Sequence, residues 1–226
     1  MNSTVAQGSP PSLDSWLERL RRRVAEPLPG RSAQRRFEPD WAFGRHFDRP
    51  PADARHAAVA VLVYPHEGAW HVPLTVRPTH LAAHAGQISL PGGSIEPGET
   101  PSEAAIRELH EELGVDPAAV QLLGPLSPLY IFGTGFYVKP WLLAADRRPP
   151  FVPQVDEVAE LLEATVDELC DRSTWSVHRR LTRGIVHNAP HIGRGSHQVW
   201  GATAMILSEF IALCDDAATT TREGAT

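Results

Sequence analysis

The chain has 226 residues, 42% of them apolar and 21% charged, with a formal net charge of −6. That length and apolar share suit one globular domain with an extension and exclude a wholly disordered chain; the acidic balance argues against a surface built to neutralise nucleic-acid phosphates. No apolar run approaches the roughly 18 residues that span a bilayer, no basic-then-apolar leader opens the chain, and the two cysteines, Cys170 and Cys214, match no disulfide or metal pattern, so a cytoplasmic protein with no membrane or nucleic-acid partner is expected.

Residues 1–12 read as a disordered start. Over 13–24, Leu13, Trp16, Leu17, Leu20 and Val24 recur at helical spacing, which gives the segment one face able to dock. Arg21, Arg22 and Arg23 form a basic cluster, but Glu18 and Glu26 flank it, so it reads as a solvated helix face. Residues 25–54, rich in Pro, Arg and Gly, read as a loop or linker that completes an N-terminal extension over 1–54. Ala57 to Tyr64 is an unbroken apolar run, as expected of a strand buried on both faces. From His71 to Arg77, Val72, Leu74 and Val76 alternate as in a strand, and Pro73 points to an edge or to the strand's first residues. Strand-like runs follow over 119–130 and 135–145, and 156–169 fits either strand or helix. Gly201 to Leu213 reads as a closing helix, with a frayed tail over 215–226, which leaves 55–214 as the domain proper.

The informative segment is GGSIEPGETPSEAAIRELHEELGV, Gly92 to Val115. Thr100 is a good N-cap, Pro101 suits the first helical position, Glu103 completes a capping box, and Gly114 suits the left-handed residue that ends a helix. At about 100° per residue, Ile106, Leu109 and Leu113 share a stripe that packs on a sheet. Glu108, Glu111 and Glu112 fall within another arc of roughly 100°. Three carboxylates on neighbouring turns repel unless a cation sits among them, and hard divalent cations take such oxygen ligands together with substrate phosphates. The glycines of the loop before the helix let backbone groups approach a ligand closely.

Taken alone, RELHEE is a solvated helix face. The full spacing is more specific: Gly93, Glu99, Arg107, Glu108, Leu109, Glu111, Glu112, Gly114 and Val115 reproduce every defined position of the Nudix box, which average residue usage would match about once in 10⁹ starting points. The chain therefore resembles the Nudix hydrolases, which cleave diphosphate linkages in nucleoside diphosphates joined to another moiety. The resemblance implies an α/β/α sandwich with a mixed β-sheet, the box forming loop, helix, loop. It implies Mg2+ or Mn2+ as cofactor, held by Glu108 and Glu112 with Glu111 as a further ligand or proton acceptor and the Gly92 carbonyl as an added ligand. Glu111, Arg107 and Glu108 form the catalytic set, Arg107 orienting a glutamate by a charge-assisted hydrogen bond. Glu99 shapes the metal site from behind or only fixes the loop.

Upstream stands LTVRPTHLAAHAGQISLPGG, Leu74 to Gly93. Leu74, Thr75, Arg77, His84, Gly86, Gln87, Pro91, Gly92 and Gly93 are similar to the signature of Nudix coenzyme A diphosphatases; Pro78, Ala82 and Leu90 depart from it, Ala82 replacing a second arginine. This resemblance implies hydrolysis of coenzyme A or acyl-coenzyme A to adenosine 3′,5′-bisphosphate and (acyl-)phosphopantetheine. A small-molecule nucleotide substrate would then meet Arg77, Gly93 and His84, with Arg77 clamping a phosphate or capping a strand edge and His84 fixing the loop rather than ligating metal. Another nucleoside diphosphate derivative, such as a nucleotide sugar or dinucleotide, is the alternative substrate. A nucleotide-sensing module without catalysis is a third reading, and the intact box argues against it. A homodimer is compatible with all three. Among weaker candidates, Glu157 offers an extra carboxylate, and Phe132, Phe136 and Trp141 form either an aromatic wall or core. His187 and His191 are spaced for metal on a helix, which Pro190 between them opposes.

Overall fold

The computed structural model describes the backbone of residues 13–79, 86–182 and 184–223. The chain opens with helices α1 (Leu13–Val24) and α2 (Arg31–Gln34), then strands β1 (Arg55–His66), β2 (Ala69–Val76), β3 (Ile88–Ser89) and β4 (Gly92–Ser94). Helix α3 (Pro101–Leu113) follows, then β5 (Gln121–Pro125), β6 (Leu129–Ile131), β7 (Phe136–Ala144), β8 (Glu160–Thr165) and the short α4 (Val166–Cys170). Strands β9 (Trp175–Thr182), β10 (Ile185–Arg194) and β11 (His197–Trp200) precede the closing helix α5 (Gly201–Glu223).

Eight strands form one mixed sheet whose main path is β3-β2-β1-β7-β5, with β4 on β1, β6 on β7 and β8 on β2. Its centre is the apolar run, which pairs in parallel with β7 from Arg55 opposite Phe136 to Val63 opposite Ala144. Such a strand must be covered twice, and it is. Ala57, Val61 and Val63 face a core closed by α5 and by Leu20 and Val24 of α1, while Ala58, Ala60, Leu62 and Tyr64 face a second core closed by Ala104, Ala105, Leu109 and Leu113 of α3. The result is the α/β/α sandwich expected of the sequence. No helix among the described residues is long and apolar enough to cross a membrane.

Several local expectations are revised. Strand β2 is interior rather than an edge: Pro73 lies opposite Glu163 of β8. On the other side, pairing with β1 ends at His71 and pairing with β3 begins at Thr75, so the proline sits where one ladder lapses. The Pro/Arg-rich stretch read as a linker holds short helical turns, with Ala33, Gln34, Phe37, Ala42 and His46 buried. Its anchors are distant in sequence, as in the Ser208 hydroxyl donating to the Ala33 carbonyl at 2.7 Å, so local composition could not reveal them. The ambiguous 156–169 divides at Thr165, whose side chain and Glu168 form a capping box that starts α4. Helix α5 continues to Glu223, past the expected Leu213.

A three-stranded sheet, β11-β10-β9, was not legible at all. In β9 and the first half of β10 the patterning is inverted: Val177, Leu181 and Val186 are exposed, while His187 and, further along, His191 of β10 are buried. An alternation of apolar residues read as inward therefore points the wrong way. His187 and His191 do share a face, of a strand rather than a helix.

Candidate active site

Helix α3 is built locally as its sequence demands. The Thr100 backbone N–H donates to the Glu103 carboxylate at 2.8 Å, and the Glu103 N–H donates back to the Thr100 hydroxyl at 3.3 Å. Gly114, with φ of 68°, ends the helix by donating to the His110 carbonyl at 2.8 Å. Because Leu109 and Leu113 are pinned to the sheet, Glu108 and Glu112, one turn apart, are carried towards the loop at 91–94.

Strand β4 brings that loop within reach by pairing with β1, Ala58 opposite Gly93 and Val59 opposite Gly92. Gly92 is forced by backbone, and Gly93 keeps the Glu108 carboxylate where it is. A β-carbon on Gly92 would collide with the Ala58 carbonyl and Val59, and one on Gly93 with the Glu108 carboxylate. The Gly92 N–H donates to Glu112 at 3.2 Å, so Gly92 meets the cluster through its N–H.

Arg107 is the organiser. Its guanidinium donates to both Glu99 oxygens at 2.9 and 3.1 Å, to Glu108 at 2.9 Å, to Glu111 at 2.8 Å and to the Ser94 carbonyl at 3.0 Å. These bonds, those to Glu99 first, hold the Arg107 pKa above its ordinary value and the Glu99 pKa below its own. Glu111, expected beside Glu108 and Glu112, is instead turned onto Arg107 and is half exposed.

Glu112 is different. It is only 4% exposed, its one donor among the described residues is the long bond from Gly92, and burial pushes its pKa up to about 8, with the charges of Glu108 and Glu157 adding to the rise and Arg77 opposing it. Burial also raises Glu108, against the pull of Arg107. One hydrogen bond contributes about 1 kcal/mol net, while leaving a carboxylate charged in an apolar interior costs several. The pair therefore needs a proton or a cation. Arg107 is shared among three glutamates, so the donor set fits a divalent oxygen-seeking ion. As the side chains stand, no three His, Cys, Asp or Glu among the described residues converge on one point; Glu111 must leave Arg107 to join the others.

Glu157, weighed from sequence only as an extra carboxylate, is brought close enough for its charge to act on both Glu108 and Glu112. Its segment is tied to the end of α3, the Gln154 N–H donating to the Glu112 carbonyl and the Val152 N–H to the Leu113 carbonyl, both at 2.8 Å. No sequence signal announces that tie. Arg77 is half-buried, its charge is felt at Glu112, and its Nε has no hydrogen-bond partner among the described residues. His84 lies outside the described residues. The three aromatic residues form no common wall: Phe132 packs on Trp41 and His46, Phe136 lies under Arg55, and Trp141 packs against the core beneath α3.

The NUDIX domain family matches residues 54–184. A protein described as the uncharacterized Nudix hydrolase NudL of Pectobacterium atrosepticum is 36% identical over 167 residues, 71% of this chain and 83% of that protein. The NudL of Yersinia pestis is 33% identical over 138 residues, 59% of this chain and 67% of its own length. Among solved structures, the Nudix hydrolase RenU from M. smegmatis aligns with a TM-score of 0.50 and 22% identity over 74% of this chain and 87% of its own, a likeness of fold.

Proposed function

Because the chain belongs to the Nudix hydrolases, enzymes acting on pyrophosphate bonds, we propose that it cleaves the diphosphate of coenzyme A or acyl-coenzyme A. The products are adenosine 3′,5′-bisphosphate and (acyl-)phosphopantetheine. The observation that carries the hydrolytic reading is the surplus of negative charge beside a glycine loop: Glu112 is buried with one long bond from Gly92, and half-buried Glu108 next to it has only Arg107, which it shares with Glu99 and Glu111. The coenzyme A reading rests on the motif from Leu74 to Gly93.

Divalent ions are general to this family; Mg2+ or Mn2+, when bound, neutralises the diphosphate and acidifies a water for in-line attack on phosphorus. Glu108 and Glu112 hold the ion, with the Gly92 backbone beside them. Glu111, released from Arg107, serves as third ligand or as proton acceptor. Arg107 orients Glu108 and Glu111 and is itself held by Glu99. Arg77, with an unpartnered buried Nε, donates to a diphosphate oxygen. Gly93 leaves room for the Glu108 carboxylate at the substrate-facing loop, and His84 keeps only the role that the upstream motif implies for it.

Assay of the purified enzyme against coenzyme A species, nucleotide sugars and dinucleotides tests this directly. Coenzyme A hydrolysis that stops on chelation, without loss of the folded state, is the expected result, since α3 is held by its caps and apolar stripe. Ala82, standing where the motif has an arginine, favours a second reading in which another nucleoside diphosphate derivative is cleaved. Rapid hydrolysis of such a compound with none of coenzyme A would establish it.

A further inference from the structure

Coenzyme A carries a ribose 3′-phosphate besides its diphosphate, and the carboxylate cluster offers that group no spare cation. Arg107 is committed to three glutamates, and Arg77 acts at Glu112, on the side of the diphosphate. A separate cavity of about 200 Å³ is lined by Gly86, Gln87, Arg180, His197, Gln198 and Trp200 among others. One wall is continuous with Arg77: the Arg77 N–H donates to the Gln87 carbonyl and the Gly86 N–H to the Arg77 carbonyl, both at 3.0 Å. The other wall comes from β9 and β11; helix α5, which follows β11 directly, is tied to the first wall by the Thr203 hydroxyl donating to the Ile88 carbonyl at 3.0 Å.

Arg180 is positioned in this cavity by neutral groups. Its guanidinium lies 4.0 Å over the Trp200 ring and donates to the His178 Nε2 at 3.2 Å. An accepting Nε2 leaves the proton on the His178 Nδ1, which faces the His191 Nδ1 at 2.9 Å. Burial above all holds both imidazoles below the usual histidine value, so the pair stays uncharged behind the arginine. No carboxylate pairs with Arg180 among the described residues; Glu160 instead faces the lining residue His197 at 3.5 Å. Burial also pulls the Arg180 pKa down, a cost that an anion in the cavity would offset.

We propose that Arg180, set against Trp200 and His178 and facing Gln87 across the cavity, receives the substrate's 3′-phosphate, supplying the second cation that Ala82 withholds from the upstream motif. This rests on the coenzyme A reading. The test compares kcat/KM for coenzyme A and dephospho-coenzyme A in the wild type, Arg180→Ala and Arg180→Lys. Calorimetric binding of adenosine 3′,5′-bisphosphate and of adenosine 5′-monophosphate is measured beside it. Arg180→Ala is expected to lower kcat/KM for coenzyme A about 10-fold, a typical loss for one charge-assisted contact, and Arg180→Lys to recover part of it. The dephosphorylated substrate should stay within about 2-fold, which also shows that the variant folds. In binding, the bisphosphate should lose about 10-fold in Arg180→Ala while the monophosphate is unchanged. Equal losses on both substrates, or none, overturn the subsite and leave the reaction standing. Arg180-dependent bisphosphate binding without hydrolysis of any coenzyme A species overturns the reaction and leaves the subsite standing. Bisphosphate and monophosphate bound alike, with no such hydrolysis, overturn both.

Discussion

Two buried glutamates, one on each helical layer of the sandwich, have opposite fates. Glu209 of α5 is fully buried and accepts from the Gly30 N–H at 2.9 Å, the Ser127 N–H at 2.9 Å, the Ser127 hydroxyl at 2.6 Å and the Gln34 amide at 3.2 Å. Glu112 of α3 is nearly as buried and has one long bond from Gly92, with Glu108 and Glu157 adding negative charge nearby. The first carboxylate has its donors built in and ties the N-terminal segment to the core. The second is left short, and the shortfall fits the divalent ion proposed above. Burial alone does not distinguish structure from chemistry; the donor count does.

The largest separation between the two should come from charge removal at the short-changed site. Glu112→Gln is expected to fold normally, with a Tm equal to or above the wild type, and to lose at least about 10²-fold in kcat, because the buried position tolerates a neutral side chain while ion binding is weakened. Glu108→Gln should behave alike. Steady-state kinetics at saturating substrate and limiting Mg2+, with a melting curve beside them, checks both effects; near-normal turnover would break the comparison.

Glu209→Ala should do the reverse. It strands several buried donors at once, which costs about 3 kcal/mol or more and lowers the Tm by roughly 6 to 12 °C in a chain of this size. Turnover below that Tm should be retained. Calorimetry that finds the Tm unchanged would show the N-terminal segment to be held by other contacts.

A smaller effect sharpens the contrast through pH. The Glu112 carboxyl titrates at about 8 in the fold because burial disfavours its charge, against about 4.3 in an unfolded chain. Between these values the folded protein keeps a proton that the unfolded chain has released, so this group makes stability fall as pH rises through the window. Metal-free enzyme should therefore melt progressively lower from about pH 5 to pH 8, and Glu112→Gln should flatten the slope. An identical slope in the variant would place the titration elsewhere.

Some of this was legible before any fold existed, for reasons that are local or periodic. Thr100, Glu103 and Gly114 bound a helix through contacts within a few residues of themselves, and Ala57 to Tyr64 declares a doubly covered strand by its unbroken apolarity. The box spacing from Gly93 to Val115 was enough to identify a Nudix enzyme and its cluster of glutamates. Sequence alone could not divide those glutamates. Three carboxylates on one arc look alike until Arg107 draws Glu111 outward and the sheet presses Glu112 inward. Nor could it bring Glu157 to the cluster or Arg180 to the cavity beside Arg77, because both arrive on segments whose local patterns are silent or, in β9 and β10, inverted. Backbone caps and apolar runs act over one or two turns and are written in adjacent residues. Which carboxylate is starved of donors, and which cation faces which wall, depends on groups distant in sequence that only the folded chain brings together.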